Sequence, residues 1–319
     1  MRDTPVRNSA LRSQRVVGRG APLEQTKLRV DVVAIFGPTA SGKSAVAAVV
    51  ADRLGSEVIS ADALQVYRGL EILTNQSELP ARLVGIRELT ESMSVGEYAA
   101  LAHDAIDGVH AECGVAVVAG GTGLYFRAAL ADIDIPPAVA DDARRRAEET
   151  YDTDADAAYA LLQAIDPAAA ARVHANDRRR VVRALELADA GTSSLSSRDA
   201  LWSEETRRPT LIVGLEVSPA ELERRIVVRT DEMIERGAAE EARAALERPL
   251  SRTARVALGL DELSTLTLAE ARERLVVRTR QYAAYQRKWM RRIPGLVGVN
   301  AERAPEEVAD EVLELARSR

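Results

Sequence analysis

The chain has 319 residues, 46% apolar and 29% charged, with a formal net charge of −6. That balance fits a globular fold of one large or two modest domains and excludes a disordered chain. The only cysteine, Cys113, and the three histidines, which lack HxxxH or HxH spacing, exclude a disulfide framework and a Cys- or His-built metal cluster. Net acidity means that any polyanion site is local.

Residues 1–29 hold six arginines and Lys27 against Asp3 and Glu24, show no apolar periodicity, and read as a basic disordered tail. Val30–Phe36 is an apolar, β-branched run that predicts a buried parallel strand, followed by GPTASGKS and a helix-compatible AVAAVVADRL. Val58–Ser60 and Leu83–Leu89 predict further strands. Ser94 and Glu97 form an S-x-x-E capping box that opens a helix to about Glu112, and Val115–Ala119 predicts a buried strand ending in GGTG. Alternating strand and helix predict an α/β fold with a parallel sheet.

The pattern changes over 131–200. Residues 138–190 are rich in Ala, Arg, Asp and Glu and hold no strand signal, Asp166-Pro167 marks a helix start, and GTSSLSSRD at 191–199 reads as a loop. The expected organisation is a core of 30–130 plus 201–319, interrupted by a helical insertion at 131–200. Sheet pattern returns at Leu211–Val217. Ser218-Pro219 with Glu221 opens a helix ending near Gly237, and Thr267 with Glu270 boxes a last long helix running through Trp289 to Pro294-Gly295.

Gly37-Pro38-Thr39-Ala40-Ser41-Gly42-Lys43-Ser44 fits G-x-x-x-x-G-K-[ST]. Backbone N–H groups and a helix N-terminus bind phosphate there, Lys43 adds a point charge, and Ser44 is a Mg²⁺ ligand candidate. A hydrolytic ATPase would want a second apolar strand ending in a Mg²⁺-linked Asp. VAVVA ends instead in Gly120-Gly121-Thr122-Gly123, and the one suitable carboxylate is Asp62, just after the strand predicted at 58–60.

Seven blocks stand in family order: GPTASGKS at 37–44, SADALQVYRG at 60–69, GGTGLYFRA at 120–128, DPAAAARVHANDRRRVVRALEL at 166–187, LERRIVVRTDEMIERG at 222–237, ALGLDEL at 257–263 and TRQYAAYQRKWMR at 279–291. Over about residues 30–300 the chain resembles the tRNA dimethylallyltransferases (isopentenyl-tRNA transferases). The resemblance implies a P-loop NTPase-like parallel sheet flanked by helices, with a helical insertion that contacts the tRNA anticodon stem-loop. It implies transfer of a dimethylallyl group from dimethylallyl diphosphate to the exocyclic amine of an adenosine next to the anticodon, with Mg²⁺, in a cytoplasmic monomer with no membrane partner.

Residue by residue, the resemblance implies a catalytic Asp62 acting as base, with Thr39 and Lys43. It implies diphosphate contacts from Gly37, Pro38, Thr39, Ala40, Ser41, Gly42, Lys43 and Ser44 together with Arg225 and Arg229, and a metal contact at Ser44. The expected tRNA-binding positions are Asp62, Ala63, Leu64, Gln65 and Gln286, joined by Arg179, Arg180 and Arg183 on one helix face and Arg280, Arg287 and Arg291 on another. On the last long helix Tyr282, Tyr285 and Trp289 cluster and are expected to pack in the core, with the arginines opposite. Three other readings use the same residues. They are an ATP-dependent small-molecule or nucleoside kinase, a prenyltransferase acting on a free adenine nucleotide, and a catalytically idle RNA-binding relative.

Overall fold

The computed structural model describes residues 28–77, 79–136, 139, 141–193 and 200–318. Residues 1–27 of the expected tail and 194–199 of the expected loop lie outside them. Six strands, β1 (Val32–Phe36), β2 (Val58–Ser60), β3 (Ala81–Arg82), β4 (Ala116–Gly120), β5 (Thr210–Glu216) and β6 (Val297–Asn300), form one sheet in the order β3-β2-β4-β1-β5-β6. All neighbours are parallel. The α/β reading therefore holds, and the central strands are the most apolar runs, as burial on both faces requires.

Along β1 the side chains alternate: Val32, Ala34 and Phe36 join one core, Val33 and Ile35 the other. The first core takes in α2 (Val95–Cys113) and α3 (Gly123–Leu130), and the second takes in α1 (Lys43–Leu54). The α2 box is present as read: the Ser94 side chain accepts from the Glu97 N–H and the Glu97 carboxylate from the Ser94 N–H.

Between α3 and β5 run four helices, α4 (Asp141–Thr153), α5 (Ala155–Ile165), α6 (Pro167–Ala170) and α7 (Arg178–Asp189). They surround a small third core of Ala147, Ala158, Leu162, Ala169, Ala170, Val181, Val182, Ala184 and Leu185. After β5 come α8 (Pro219–Glu235), α9 (Ala238–Leu246), α10 (Leu260–Thr265) and α11 (Leu268–Met290), and after β6 comes α12 (Pro305–Ser318).

The strand expected over Leu83–Leu89 is not there. Pairing stops at Arg82 because Leu83 turns left-handed (φ 64°), and only an isolated bridge, Tyr67 to Arg87, follows. Edge strand β6 and helix α12 were not anticipated from the sequence. Val-Gly-Val-Asn is too short and too glycine-diluted to announce a strand.

Candidate functional site

The loops after β1, β2 and β4 emerge side by side at the carboxyl edge of the sheet. Backbone bonds lace them together, Gly37 N–H to the Gly120 carbonyl (3.3 Å) and Ala61 N–H to the Ala119 carbonyl (2.7 Å). Gly120 has to lack a side chain, since a Cβ there would sit 2.2 Å from the Ala61 carbonyl oxygen. These loops floor a cleft of about 2530 Å³ whose opposite wall is built by α4, α6 and α7.

In the 37–44 loop, Ala40 (φ 64°) and Gly42 (φ 86°) are left-handed, and no side chain caps the start of α1. This turns successive N–H groups toward one anion position. The structure divides the expected diphosphate set. Thr39 N–H goes to Gln286 Oε1 (2.7 Å), while Gly37 and Ser41 N–H donate to the Gly120 and Pro38 carbonyls. The Ser41 side chain is buried against Gly37. That leaves Ala40, Gly42, Lys43 and Ser44 as the loop's backbone donors. Arg229 Nη1 donates to Thr39 Oγ1 at 2.6 Å, and Arg225 Nη1 reaches the Ser41 carbonyl at 3.4 Å, so these two arginines of α8 face the loop.

Lys43 shares the cleft lining with Asp62 and Arg229 and feels the charge of both. Desolvation in the cleft pushes its ammonium down to about 8, with the Asp62 charge opposing and the Arg229 charge adding to the fall. Burial likewise lowers the Arg229 guanidinium, again against the pull of Asp62. Asp62 is itself aimed, because its Oδ1 accepts the Leu64 N–H (3.0 Å). Next to it, Ala63 N–H donates to Thr122 Oγ1 (3.3 Å), and Thr122 Oγ1 lies 3.5 Å from the Tyr282 hydroxyl. Burial and the nearby Asp62 charge push that phenol above the ordinary tyrosine range.

Ala63 and Leu64 line the cleft beside Asp62. Gln65 lines it too, but its amide braces the loop: Oε1 accepts from Ser60 Oγ (2.8 Å) and Nε2 donates to the Thr74 and Asn75 carbonyls. Gln286, expected at the RNA surface, is 2% exposed and ties Thr39 N–H to the Gly121 carbonyl (3.0 Å).

The aromatic expectation is corrected in part, since Trp289 packs against the first core as expected yet also faces the cleft. Tyr282, Tyr285 and Trp289 line the cleft, and Tyr285 is 54% exposed. Helical periodicity gave the shared face correctly, but it could not tell a core from a cavity wall.

On the facing wall stand Arg144, Arg145, Arg172, Arg179, Arg180 and Arg183. Arg183 is engaged by buried Glu186 (2.9 Å, Oε1) and the Pro136 carbonyl (3.2 Å), and Arg180 pairs loosely with Asp177 (3.4 Å). Arg179 and Arg172 have no carboxylate partner among the described residues. Arg280, Arg287 and Arg291 stand away from the cleft lining, and Arg280 is paired with Glu223 on α8. Sequence reasoning missed Thr122, whose signal was its place in the glycine-rich turn after a buried strand. It also missed Arg172, on the cleft side of the turn before α7.

The IPP transferase family model matches residues 65–293, and the isopentenyl transferase model matches residues 30–89. The tRNA dimethylallyltransferase of Anaeromyxobacter dehalogenans is 39% identical over 88% of this chain and 98% of its own. The crystal structure of full-length tRNA isopentenylpyrophosphate transferase from Bacillus halodurans superposes with a TM-score of 0.63 at 30% identity, over 90% of this chain and 95% of the other. A eukaryotic dimethylallyltransferase acting on tRNA superposes with a TM-score of 0.67 at 26% identity, over 85% and 73%. The glycine-rich loop, the aspartate after β2 and the basic wall across the cleft thus belong to an enzyme that transfers a dimethylallyl group to tRNA, and the chain is a member of the tRNA dimethylallyltransferase family.

Proposed function

We propose that the chain takes the group from dimethylallyl diphosphate and places it on the exocyclic amine of an adenosine next to the tRNA anticodon. The observation that carries this reading is the opposition of charges on the cleft floor: Asp62 acts on both Lys43 and Arg229 beneath an open helix N-terminus. The loop amides, Lys43 and Arg229 hold the diphosphate and take up charge as the allylic C1–O bond breaks and its electron pair leaves with the diphosphate. The adenine amine attacks C1, the N–C1 bond forms, and the amine proton passes to Asp62. Thr39, pinned by Gln286 and Arg229, keeps the loop in register with the Asp62 turn.

Mg²⁺ fits this site. No group of three His, Cys, Asp or Glu among the described residues could bind a metal alone, whereas Ser44 opens onto the cleft beside the anion position. Mg²⁺ favours few protein ligands plus phosphate oxygens. Bound there, it would neutralise diphosphate charge.

The cleft, about 2530 Å³, exceeds the roughly 300–1,000 Å³ of small-molecule sites, which favours an RNA loop over a free nucleotide as acceptor. Arg179, Arg180 and Arg172 supply the phosphate contacts of its far wall, and the unstacked base reaches Asp62 past Tyr282 and Tyr285. No helix among the described residues is long and apolar enough to cross a membrane; we take the enzyme to act in the cytoplasm as a monomer.

The test is incubation with Mg²⁺, dimethylallyl diphosphate and unmodified bulk tRNA, followed by nucleoside mass spectrometry, with AMP and ATP as rival acceptors. Prenylated adenosine from tRNA is the expected product. Prenylated AMP or ATP alone would overturn the acceptor.

A further inference from the structure

Asp62 stands in a loop whose two arms are laced together by glutamine amides. From the first arm, Gln65 Nε2 donates to the Thr74 and Asn75 carbonyls (3.3 and 3.2 Å), while its Oε1 takes the Ser60 hydroxyl. From the second, Gln76 Nε2 donates back to the Gln65 and Tyr67 carbonyls (3.2 and 2.8 Å). The second arm, 70–76, is a run of tight turns. Thr74, Asn75 and Gln76 N–H donate to the Leu70, Ile72 and Glu71 carbonyls, and Asn75 is left-handed (φ 49°). Leu73, Thr74 and Asn75 line the cleft together with Asp62.

The N–H groups of Ile72 and Leu73 are satisfied from outside the loop, and α9 supplies the acceptor. Glu241 Oε2 accepts from the Ile72 N–H and Oε1 from the Leu73 N–H, each at 2.8 Å. Its neighbour behaves differently: Glu240 is exposed and pairs with Arg243 (2.8 Å). Glu241 is half-buried beside Ala238, Ala242 and Ala245, which join the same core as Leu73. Burial raises its carboxyl above the ordinary range, against the pull of the two amides. A charged group is thus kept in a partly desolvated place, where two charge-assisted bonds to a single turn offset its desolvation.

We propose that Glu241 is a positioning residue for the transfer step, fixing the 70–76 arm and, through the Gln65 amide, the Asp62 turn. The chain of bonds is continuous. It runs from Glu241 to the Ile72 and Leu73 amides, along the arm to the Thr74 and Asn75 carbonyls, and through Gln65 to Ser60. Gln65 also follows Leu64, whose N–H aims the Asp62 carboxylate. The proposal rests on the reading of Asp62 as the base. Among the described residues, Gln286 and Arg229 brace the phosphate loop and Glu186 braces Arg183 of the far wall, without Glu241. Loss of the Glu241 bonds should therefore slow transfer and leave both substrates' affinities alone.

The test is a double-mutant cycle over wild type, Glu241→Gln, Asp62→Asn and the two combined, with Glu241→Ala as a fifth protein. Single-turnover transfer at saturating enzyme and dimethylallyl diphosphate is measured beside thermal midpoints. Dissociation constants are taken for fluorescein-labelled unmodified tRNA and for inorganic pyrophosphate with Mg²⁺. Glu241→Gln keeps the side-chain shape and one acceptor oxygen, so it carries the comparison should Glu241→Ala fail to fold. The expected result is a transfer rate about tenfold lower in Glu241→Gln, lower again in Glu241→Ala, with both Kd values within about twofold of wild type. In the Asp62→Asn background the same Glu241→Gln change should cost less than about twofold, because the group it positions is already gone.

A wild-type transfer rate in Glu241→Gln would overturn the proposal. So would an equal loss in the Asp62→Asn background, which would mark Glu241 as general packing. A weaker tRNA Kd at unchanged rate would overturn it too, and would place the 70–76 arm in RNA binding. Normal turnover in Asp62→Asn alone would instead bring down the base reading, and the proposal with it, whatever Glu241 does.

Discussion

On the sheet side of the cleft, several groups facing the cavity are held by hydrogen bonds from neighbouring loops and helices of the core. Thr39 is gripped by α8 and α11, Ala63 by the loop after β4, and Gln65 by its own loop. On the α4–α7 side the core is mostly alanine, and the charged side chains are tied within the same small unit, Arg146 to Asp189, Arg178 to Asp152 and Arg183 to Glu186. In the proposed reading the first side meets a small, highly charged group whose chemistry depends on fixed dipoles in a partly dry place. In the same reading the second meets a polyanion, for which screened surface cations serve, and whose grip is expected to be salt-sensitive. The two sides should therefore answer different measurements.

The largest effect is expected at Asp62. Asp62→Asn keeps the turn, since the amide oxygen can still accept the Leu64 N–H, but it removes the proposed base. Transfer should fall roughly 10²–10⁴-fold while tRNA affinity holds. Single-turnover rates set beside labelled-tRNA binding check this, and normal turnover in the variant would take the proton elsewhere.

Gln286 comes next and sharpens the border between the sides. The resemblance put it among RNA contacts, while its geometry makes it a bolt between the P-loop and the β4 loop. Gln286→Ala leaves a buried N–H and a carbonyl unpaired at about 1–3 kcal/mol, so donor KM should rise some five- to 150-fold. A changed tRNA Kd with an unchanged donor KM would return Gln286 to the RNA side.

The floor was largely legible in the sequence, because its parts are glycine-rich turns after buried strands and such turns leave a spaced signature. GPTASGKS, Asp62 and the two arginines four apart on α8 all came together as read. The partitioning of the loop's amides was not legible, since it depends on Gln286 arriving from 247 residues away. The wall was read as a set of arginines, but sequence does not show which of them already have a carboxylate. Arg183 and Arg179 look alike in RRRVVRALEL, and they differ because buried Glu186 lies one turn from Arg183. Glu241 had no functional signal, since periodicity puts it on the alanine face of α9 without naming the Ile72 and Leu73 amides it meets.

A pH series tests the floor at intermediate size. With the Lys43 ammonium near 8 in the free enzyme, its cation is present below that pH and lost above it. If Lys43 holds the diphosphate as proposed, kcat/KM for dimethylallyl diphosphate should fall as pH rises through about 8, by up to about tenfold per unit. The limb should vanish in Lys43→Arg, whose charge does not titrate in this range. tRNA affinity at fixed salt should show no inflection there, and one that tracks the donor's would mean that Lys43 serves both sides.

The smallest effect separates the two arginines of α7. Arg179 has no carboxylate to leave, so a phosphate contact there should release counterions. Arg179→Ala should weaken tRNA binding a few-fold at low salt and flatten the slope of log K against log salt by about 0.7 for one phosphate on a single-stranded loop. Arg183 is already bonded to Glu186 and to the Pro136 carbonyl. Its loss leaves the 3%-exposed Glu186 carboxylate, among the described residues, with only the longer Arg144 contact at 3.5 Å. A carboxylate that deep and that poorly paired destabilises its surroundings. Arg183→Ala should thus lower the thermal midpoint and keep the salt slope. If instead Arg183→Ala flattens the slope and Arg179→Ala does not, the RNA backbone displaces Glu186 from Arg183 on binding, and the wall rearranges where the floor does not.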